Sequence, residues 1–240
     1  HEIFNMPQRL LVPLFQRPYV WSEESQWEPL WDDITRVAER YFLNPQGAHQ
    51  PHFIGAVVLQ QMPNSTGGFQ ERTIIDGQQR LTTLQILLDA MHAEFEAAGA
   101  TKPAKRLERL IRNDQEFCSS PEEEFKVWPT NRDRVAFCEV MAAPAPVDYD
   151  QLVYKKDRLP QAHKYFSNKT KEWLRGSSES ELQSRADALE TTARELLQVV
   201  VIDLAADENA QEIFETLNAR GAQLSAADLI KNFIFQRLLI

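Results

Sequence analysis

The chain has 240 residues, 43% of them hydrophobic, and a formal net charge of −9. That length and apolar content suffice for a substantial core, in one large domain or two subdomains, while the acidic balance excludes general coating of nucleic acid, which needs a surplus of Lys and Arg. No apolar run approaches the ~20 residues that span a bilayer, no secretory pattern opens the chain, and Cys118 and Cys138 lack zinc or disulfide spacing, so a cytoplasmic protein without membrane contact is expected.

In chain order, residues 10–15 read as a short strand, and Pro18 holds the next residues in turn or extended geometry. Trp27, Leu30, Trp31, Ile34, Val37, Ala38 and Tyr41 form a helical stripe over residues 23–42. Phe53–Gln61 and Arg72–Asp76 are β-branched runs that predict two strands, joined through a segment containing Pro63, Gly67 and Gly68. A long helix comes next, from Gly77 to about Ala97, ended by Gly99 and Pro103. Helices are then expected over Lys105–Asn113, Thr130–Met141, Pro160–Leu174 and Glu179–Gln198, with a short strand at Glu124–Trp128. Val199–Leu204 is another β-branched run suited to rejoin the first sheet, and helices from about Asn209 and Ala226 close the chain. The fold class is α+β, divided as an αβ core over 1–100, a helical insertion over 101–198, and a returning strand and helices over 199–240 that complete the core. The last apolar run, Phe233 to Ile240, carries no helix stop signal, so the chain is expected to be a fragment of a longer protein.

The densest chemistry lies at the junction of the second strand and the long helix, Thr73-Ile74-Ile75-Asp76-Gly77-Gln78-Gln79-Arg80-Leu81. The first N–H groups of a helix lack intrahelical partners and sit at the positive end of its dipole, so this junction suits a phosphate. Arg80 can fork onto phosphate oxygens, and Gln78 or Gln79 can orient a water or read a base edge. A purely architectural reading also fits: Asp76 as N-cap, Gly77 for a tight turn, and Asp76–Arg80 as an i,i+4 pair worth roughly 0.2–0.5 kcal/mol.

Three other groupings have a functional reading beside an architectural one. Phe15, Gln16, Arg17, Pro18, Tyr19 and Trp21 combine stacking faces with polar donors, suiting bases, sugars or a modified phosphate, although aromatics also anchor termini in cores. Gln16, Arg17 and Tyr19 are expected to face a cleft, with Phe15 and Trp21 partly structural. Residues 155–175 hold a local excess of Lys and Arg, including Lys164 and Lys169, which reads as a backbone-contacting patch or as a solvated helix face. Near the end, Gly221, Ser225 and Asp228 are explained as helix caps, whereas Asn218, Arg220 and Lys231 are not and can converge on a phosphate. The five histidines form no HNH-type nuclease arrangement.

Several ordered blocks carry a family resemblance. They are Pro13-Leu14-Phe15-Gln16-Arg17-Pro18-Tyr19-Val20-Trp21, Leu30-Trp31-Asp32-Asp33-Ile34, Phe53-Ile54-Gly55, Ile75-Asp76-Gly77-Gln78-Gln79-Arg80, and Ile213 to Gly221 with Asp228 to Asn232. The chain resembles the DGQQR-motif family of modification-dependent restriction and phage-defence proteins, the GmrSD, BrxU and SspE type. The match spans nearly the whole chain, although residues 100–200 agree only in general character. The resemblance implies a small mixed sheet of the ParB/sulfiredoxin type followed by a mostly helical part. It also implies a module that hydrolyses an NTP, often GTP, with Mg²⁺, senses DNA modification, and controls a nuclease in a C-terminal domain or partner subunit. Asp76, Gln78, Gln79 and Arg80 would then be catalytic, with Asp76 on the metal and one glutamine placing water. Gly77, Asn218, Arg220 and Lys231 would hold nucleotide, Gln16, Arg17, Tyr19 and Trp21 would sense modified DNA, and Lys164 and Lys169 would meet its backbone. A homo-oligomer is compatible with this reading. So is a binding switch without turnover, since ParB-like domains use nucleotide chiefly that way. Sulfiredoxin chemistry is disfavoured because the turn holds Gln78 and Gln79 where a reactive cysteine is needed.

Overall fold

The computed structural model of the chain describes residues 2–14, 16–63, 69–176 and 178–209. A short helix α1 (Glu2–Asn5) leads into strand β1 (Gln8–Leu11). Helix α2 (Glu28–Leu43) starts with Glu28 and Pro29, both favoured in a first turn, and buries Trp31, Ile34, Val37 and Ala38. Strands β2 (His52–Gln61) and β3 (Gln70–Asp76) pair antiparallel. Helix α3 (Gln78–Ala97) begins after a single intervening residue. Helices α4 (Thr101–Ile111), α5 (Arg134–Met141), α6 (Arg158–Trp173) and α7 (Glu179–Thr191) come next, with the two-residue strand β4 (Val127–Trp128) between α4 and α5, and β5 (Leu197–Leu204) after α7.

The five strands form one mixed sheet in the order β4-β1-β3-β2-β5. β1 runs parallel to both β3 and β4, and β5 runs parallel to β2. The architecture is therefore α+β. Helix α3 is the central element. Every residue from Leu81 to Met91 is buried, as expected for a helix covered on all sides. Its Leu81, Leu87, Met91 and Phe95 share one core with Leu10, Val57, Leu59 and Ile74 of the sheet and with Phe137 and Phe166 of α5 and α6. Some polar groups enter this core in pairs, whereas the fully buried Gln85 of α3 finds no hydrogen-bond partner among the described residues. His163 is fully buried, its Nε2 lies 3.1 Å from Asp89 Oδ2, and its Nδ1 lies 2.7 Å from the Tyr149 hydroxyl.

Several boundaries differ from the sequence expectation. Strand β1 begins and ends earlier than 10–15, and α1 has no periodic signal long enough to be read. Pro103 does not end α3; it sits in the first turn of α4, where its missing N–H costs nothing. The helix expected over Glu179–Gln198 leaves regular α geometry at Thr192, passes through a wide turn, and becomes strand at Leu197. The helices expected from about 209 and 226 lie outside the described residues. No described helix is long and apolar enough to cross a membrane.

Candidate functional site

The turn between β3 and α3 is built by glycine. Gly77 is the helix N-cap, at φ +91° in the left-handed region, and no side chain caps the terminus. Added bulk there is blocked as well: a Cβ on Gly77 would lie 2.5 Å from Val57 Cγ1. Asp76 is consequently the last residue of β3 rather than the expected cap. Its carboxylate is partly buried and, among the described residues, makes no hydrogen bond and no ion pair within 4.0 Å.

Arg80 turns away from Asp76 toward β2. Its Nη1 donates to the Ala56 carbonyl, and its guanidinium lies against Gly55, itself at φ +109° where the β2–β5 register slips. Burial pulls the Arg80 pKa below its usual value, and the Asp76 charge opposes that shift. The i,i+4 contact is thus an electrostatic influence and not a closed salt bridge. Among the described residues, Arg80 Nε and Nη2 make no hydrogen bond.

Both glutamines face the N-terminal aromatic segment. Gln79 is buried and bidentate: its Oε1 accepts from Val20 N at 2.8 Å and its Nε2 donates to Pro18 O at 3.1 Å. Gln78 Nε2 donates to Arg17 O at 2.9 Å. Gln16 ties the loop in the other direction, its Nε2 donating to Ile74 O at 2.7 Å and Ile75 O at 3.1 Å. The segment 16–20 is therefore fastened along the start of α3 and the end of β3 by three amides. This narrows one expectation about the glutamines: each end of the Gln79 amide already holds a backbone partner, so the side chain is fixed as a tie to the loop. Among the described residues, Gln78 Oε1 accepts no hydrogen bond.

The aromatic segment divides differently from the expectation. Tyr19 does not face a cleft. It is 6% exposed, its hydroxyl lies 2.6 Å from Thr83 Oγ1 and accepts from Trp27 Nε1 at 2.9 Å, and burial raises its pKa well above the usual phenol value. The ring belongs to the core because aromatic area is best spent there, with its hydroxyl satisfied by polar neighbours. Arg17 is exposed, and its guanidinium has no partner among the described residues. Trp21 is half-buried, packs on the core, and accepts at its carbonyl from Arg158 Nη1 at 3.4 Å. Phe15, Asn218, Arg220 and Lys231 lie outside the described residues.

Lys164 and Lys169 stand on α6. Each ammonium sits 5.7 Å from an aromatic centroid, Lys164 over Tyr149 and Lys169 over Tyr165. One residue of this neighbourhood escaped the sequence reading. Asp133, the N-cap of α5, accepts from Tyr19 N at 2.9 Å and from Thr130 Oγ1 at 2.7 Å. The Thr130-x-x-Asp133 spacing, a capping-box pattern, was its available signal.

Among the described residues, the assembled turn offers a helix N-terminus without a side-chain cap, an unpaired carboxylate and a partly satisfied guanidinium beside a pinned loop. The apolar cavity of about 30 Å³ between Phe4, Ile54, Leu87 and Leu197 includes none of these residues. The profile of the N-terminal domain of GmrSD restriction endonucleases matches residues 1–235. The chain belongs to this family. No curated protein sequence matches the chain. Membership in the GmrSD N-terminal family makes this a restriction-associated module, and the Asp76–Arg80 turn lies within the matched span.

Among the described residues there is no cluster of three or more His, Cys, Asp or Glu. A preformed all-protein metal cage is therefore not present among them. Mg²⁺ is commonly held by one or two carboxylates together with substrate phosphates, and the unpaired Asp76 suits that arrangement.

Proposed function

We propose that the chain is an NTP-hydrolysing module, with GTP as the expected substrate, that senses DNA modification and controls a nuclease centre outside this chain. The observation that carries the reading is the joining of two features by amides. The loop holding Arg17 and Trp21 is tied to the helix N-terminus beside Asp76, so loop occupancy and the turn are mechanically linked.

In this mechanism the first N–H groups of α3 and the Arg80 guanidinium hold phosphate oxygens, using the dipole and charge-assisted donors. Asp76 would hold Mg²⁺, which when bound would neutralise phosphate charge. Gln78, through its free carbonyl oxygen, orients water. Asn218, Arg220 and Lys231 complete the nucleotide contacts, and Arg17, Gln16 and Trp21 meet modified DNA while Tyr19 supports the loop from behind. Lys164 and Lys169 contact the DNA backbone.

Phosphate release by the purified chain, with and without modified DNA, tests this reading. Asp76→Ala and Arg80→Ala should each lower turnover by about 10²–10³-fold, the usual cost of one phosphate-stabilising group, while circular dichroism stays native. Wild-type rates in both folded variants would overturn it.

One observation favours a second reading, a nucleotide- or DNA-binding switch without turnover. The Gln79 amide is engaged at both ends, by Pro18 and Val20, as a latch requires and a water-placing group does not. Nucleotide binding without phosphate release, under every DNA condition, would decide for the switch.

A further inference from the structure

We infer that Gly55 is a positioning residue for Arg80: the left-handed glycine in the β2 bulge makes the slot in which the guanidinium lies, and so sets where its free N–H groups point. This rests on Arg80 being a phosphate-binding group of the proposed turn.

Three observations converge on the slot. A Cβ on Gly55 would stand 2.7 Å from both Arg80 Cζ and Nη2 and 3.0 Å from Nε, so the contact is with the Nε–Cζ–Nη2 side of the guanidinium. Gly55 has φ +109°, and the parallel β2–β5 register shifts between Phe53 and Ala56, so the bulge and the glycine are one feature. The next carbonyl, Ala56 O, accepts from Arg80 Nη1. Bulges commonly re-aim groups beside active sites. Here the bulge anchors one edge of the guanidinium and leaves Nε and Nη2 without hydrogen-bond partners among the described residues.

The same strand supports the turn at two points. Gly55 receives Arg80, while Val57, two residues on and fully buried, closes over Gly77. Strand β2 is thereby the back wall of the turn, although it contributes no charged group to it. A side chain at position 55 would push the guanidinium outward, and a displacement of about 1 Å is enough to cost 10²-fold in rate when a positioning group is involved.

A double-mutant cycle on the intact chain tests the inference, with GTP hydrolysis and thermal unfolding as readouts. Gly55→Ala should lower kcat/KM for GTP by about 10²-fold, as Arg80→Ala does, and combining them should cost no more than either alone. Part of the loss should appear as a raised KM, which a general loss of stability would not produce. Unfolding gives a second, independent arm. The stability lost in Gly55→Ala should be partly recovered in the double variant, because the colliding guanidinium is gone. If Gly55→Ala is too unstable to assay, Gly55→Ala/Arg80→Lys, which replaces the flat group with a slender ammonium, should be the more stable of the two in urea, the left-handed φ straining alanine equally in both. Multiplicative losses of activity, or a double variant no more stable than Gly55→Ala, would overturn the inference. A wild-type chain without phosphate release would instead sink the catalytic reading, while the unfolding arm would still decide whether Gly55 seats Arg80.

Discussion

At the scale of single residues, the informative groups are those whose polar atoms are already spent. Gln79 satisfies Val20 N and Pro18 O with one buried amide. Truncation to alanine leaves both backbone groups without their partner, and an orphaned buried group costs about 1–3 kcal/mol. Gln79→Ala should therefore lower the urea midpoint clearly and speed cleavage by proteinase K within the segment 16–21. Gln78→Ala, which removes one bond from a less buried position, should do much less to stability. Equal effects would mean that the loop is not held through Gln79. Tyr19→Phe provides a parallel case. It retains the ring but orphans Trp27 Nε1, with an expected loss again of about 1–3 kcal/mol. A loss of modification sensing in that variant without a loss of stability would mean that the hydroxyl acts on DNA and not on the fold.

At the scale of elements, two parts of the molecule divide the proposed labour. The turn and its loop form one unit, while Lys164 and Lys169 stand on α6. Replacing Lys164 and Lys169 with alanine should weaken modified and plain DNA alike, and should reduce the slope of log K against log salt by about 1 for each phosphate no longer neutralised. A change in discrimination between the two DNAs would instead place these lysines in recognition. Much of this layout was legible from pattern. The β-branched runs located β2, β3 and β5, and the helical stripe located α2. The features that stayed hidden were set by tertiary packing. The Thr192–Leu196 turn keeps a helical composition until strand pairing with β2 takes over at Leu197. Asp76 looks like a cap, yet it is held in β3 opposite Val58. Tyr19 sits among polar neighbours in sequence, so only the fold shows its ring turned inward. The two glutamines drew notice as chemistry, whereas their amides find backbone partners from a loop about sixty positions earlier, which local spacing cannot reveal.

At the scale of the whole molecule, buried ionisable groups shape the response to pH. Lys126 is 2% exposed, and its ammonium donates to Phe4 O and, at 3.3 Å, to Met6 O, closing the carbonyl end of α1. Burial pushes its pKa down to about 8 from the ordinary 10.5. Between these values the unfolded chain holds a proton that the folded chain has lost, so stability rises with pH, by up to about 1.4 kcal/mol per unit. The buried Tyr19 and Tyr165 and the half-buried Tyr149 act in the opposite sense. Their pKa values are raised above 10 by burial, so the stability they contribute is present below pH 10 and is lost above it, as the unfolded phenols ionise. Urea midpoints should therefore climb from about pH 8, level above about pH 9, where the raised pKa values of the Cys118 and Cys138 thiols act in the opposite sense, and fall beyond about pH 10. Lys126→Met should flatten the climb and leave the fall. A climb unchanged in that variant would assign it to another group.

The parallel pairing of β2 with β5 also sets an order of events during synthesis. The wall behind the turn belongs to residues 52–61, but one of its two neighbours is made of residues 197–204. At the usual 5–20 residues per second, a ribosome needs roughly 6–25 s to travel from the end of the DGQQR turn to the end of that strand. Until then β2 has an open edge and Gly55 lacks the partner strand against which its bulge is defined. The nascent chain thus carries every residue of the turn well before the strand that completes the wall behind it has been made.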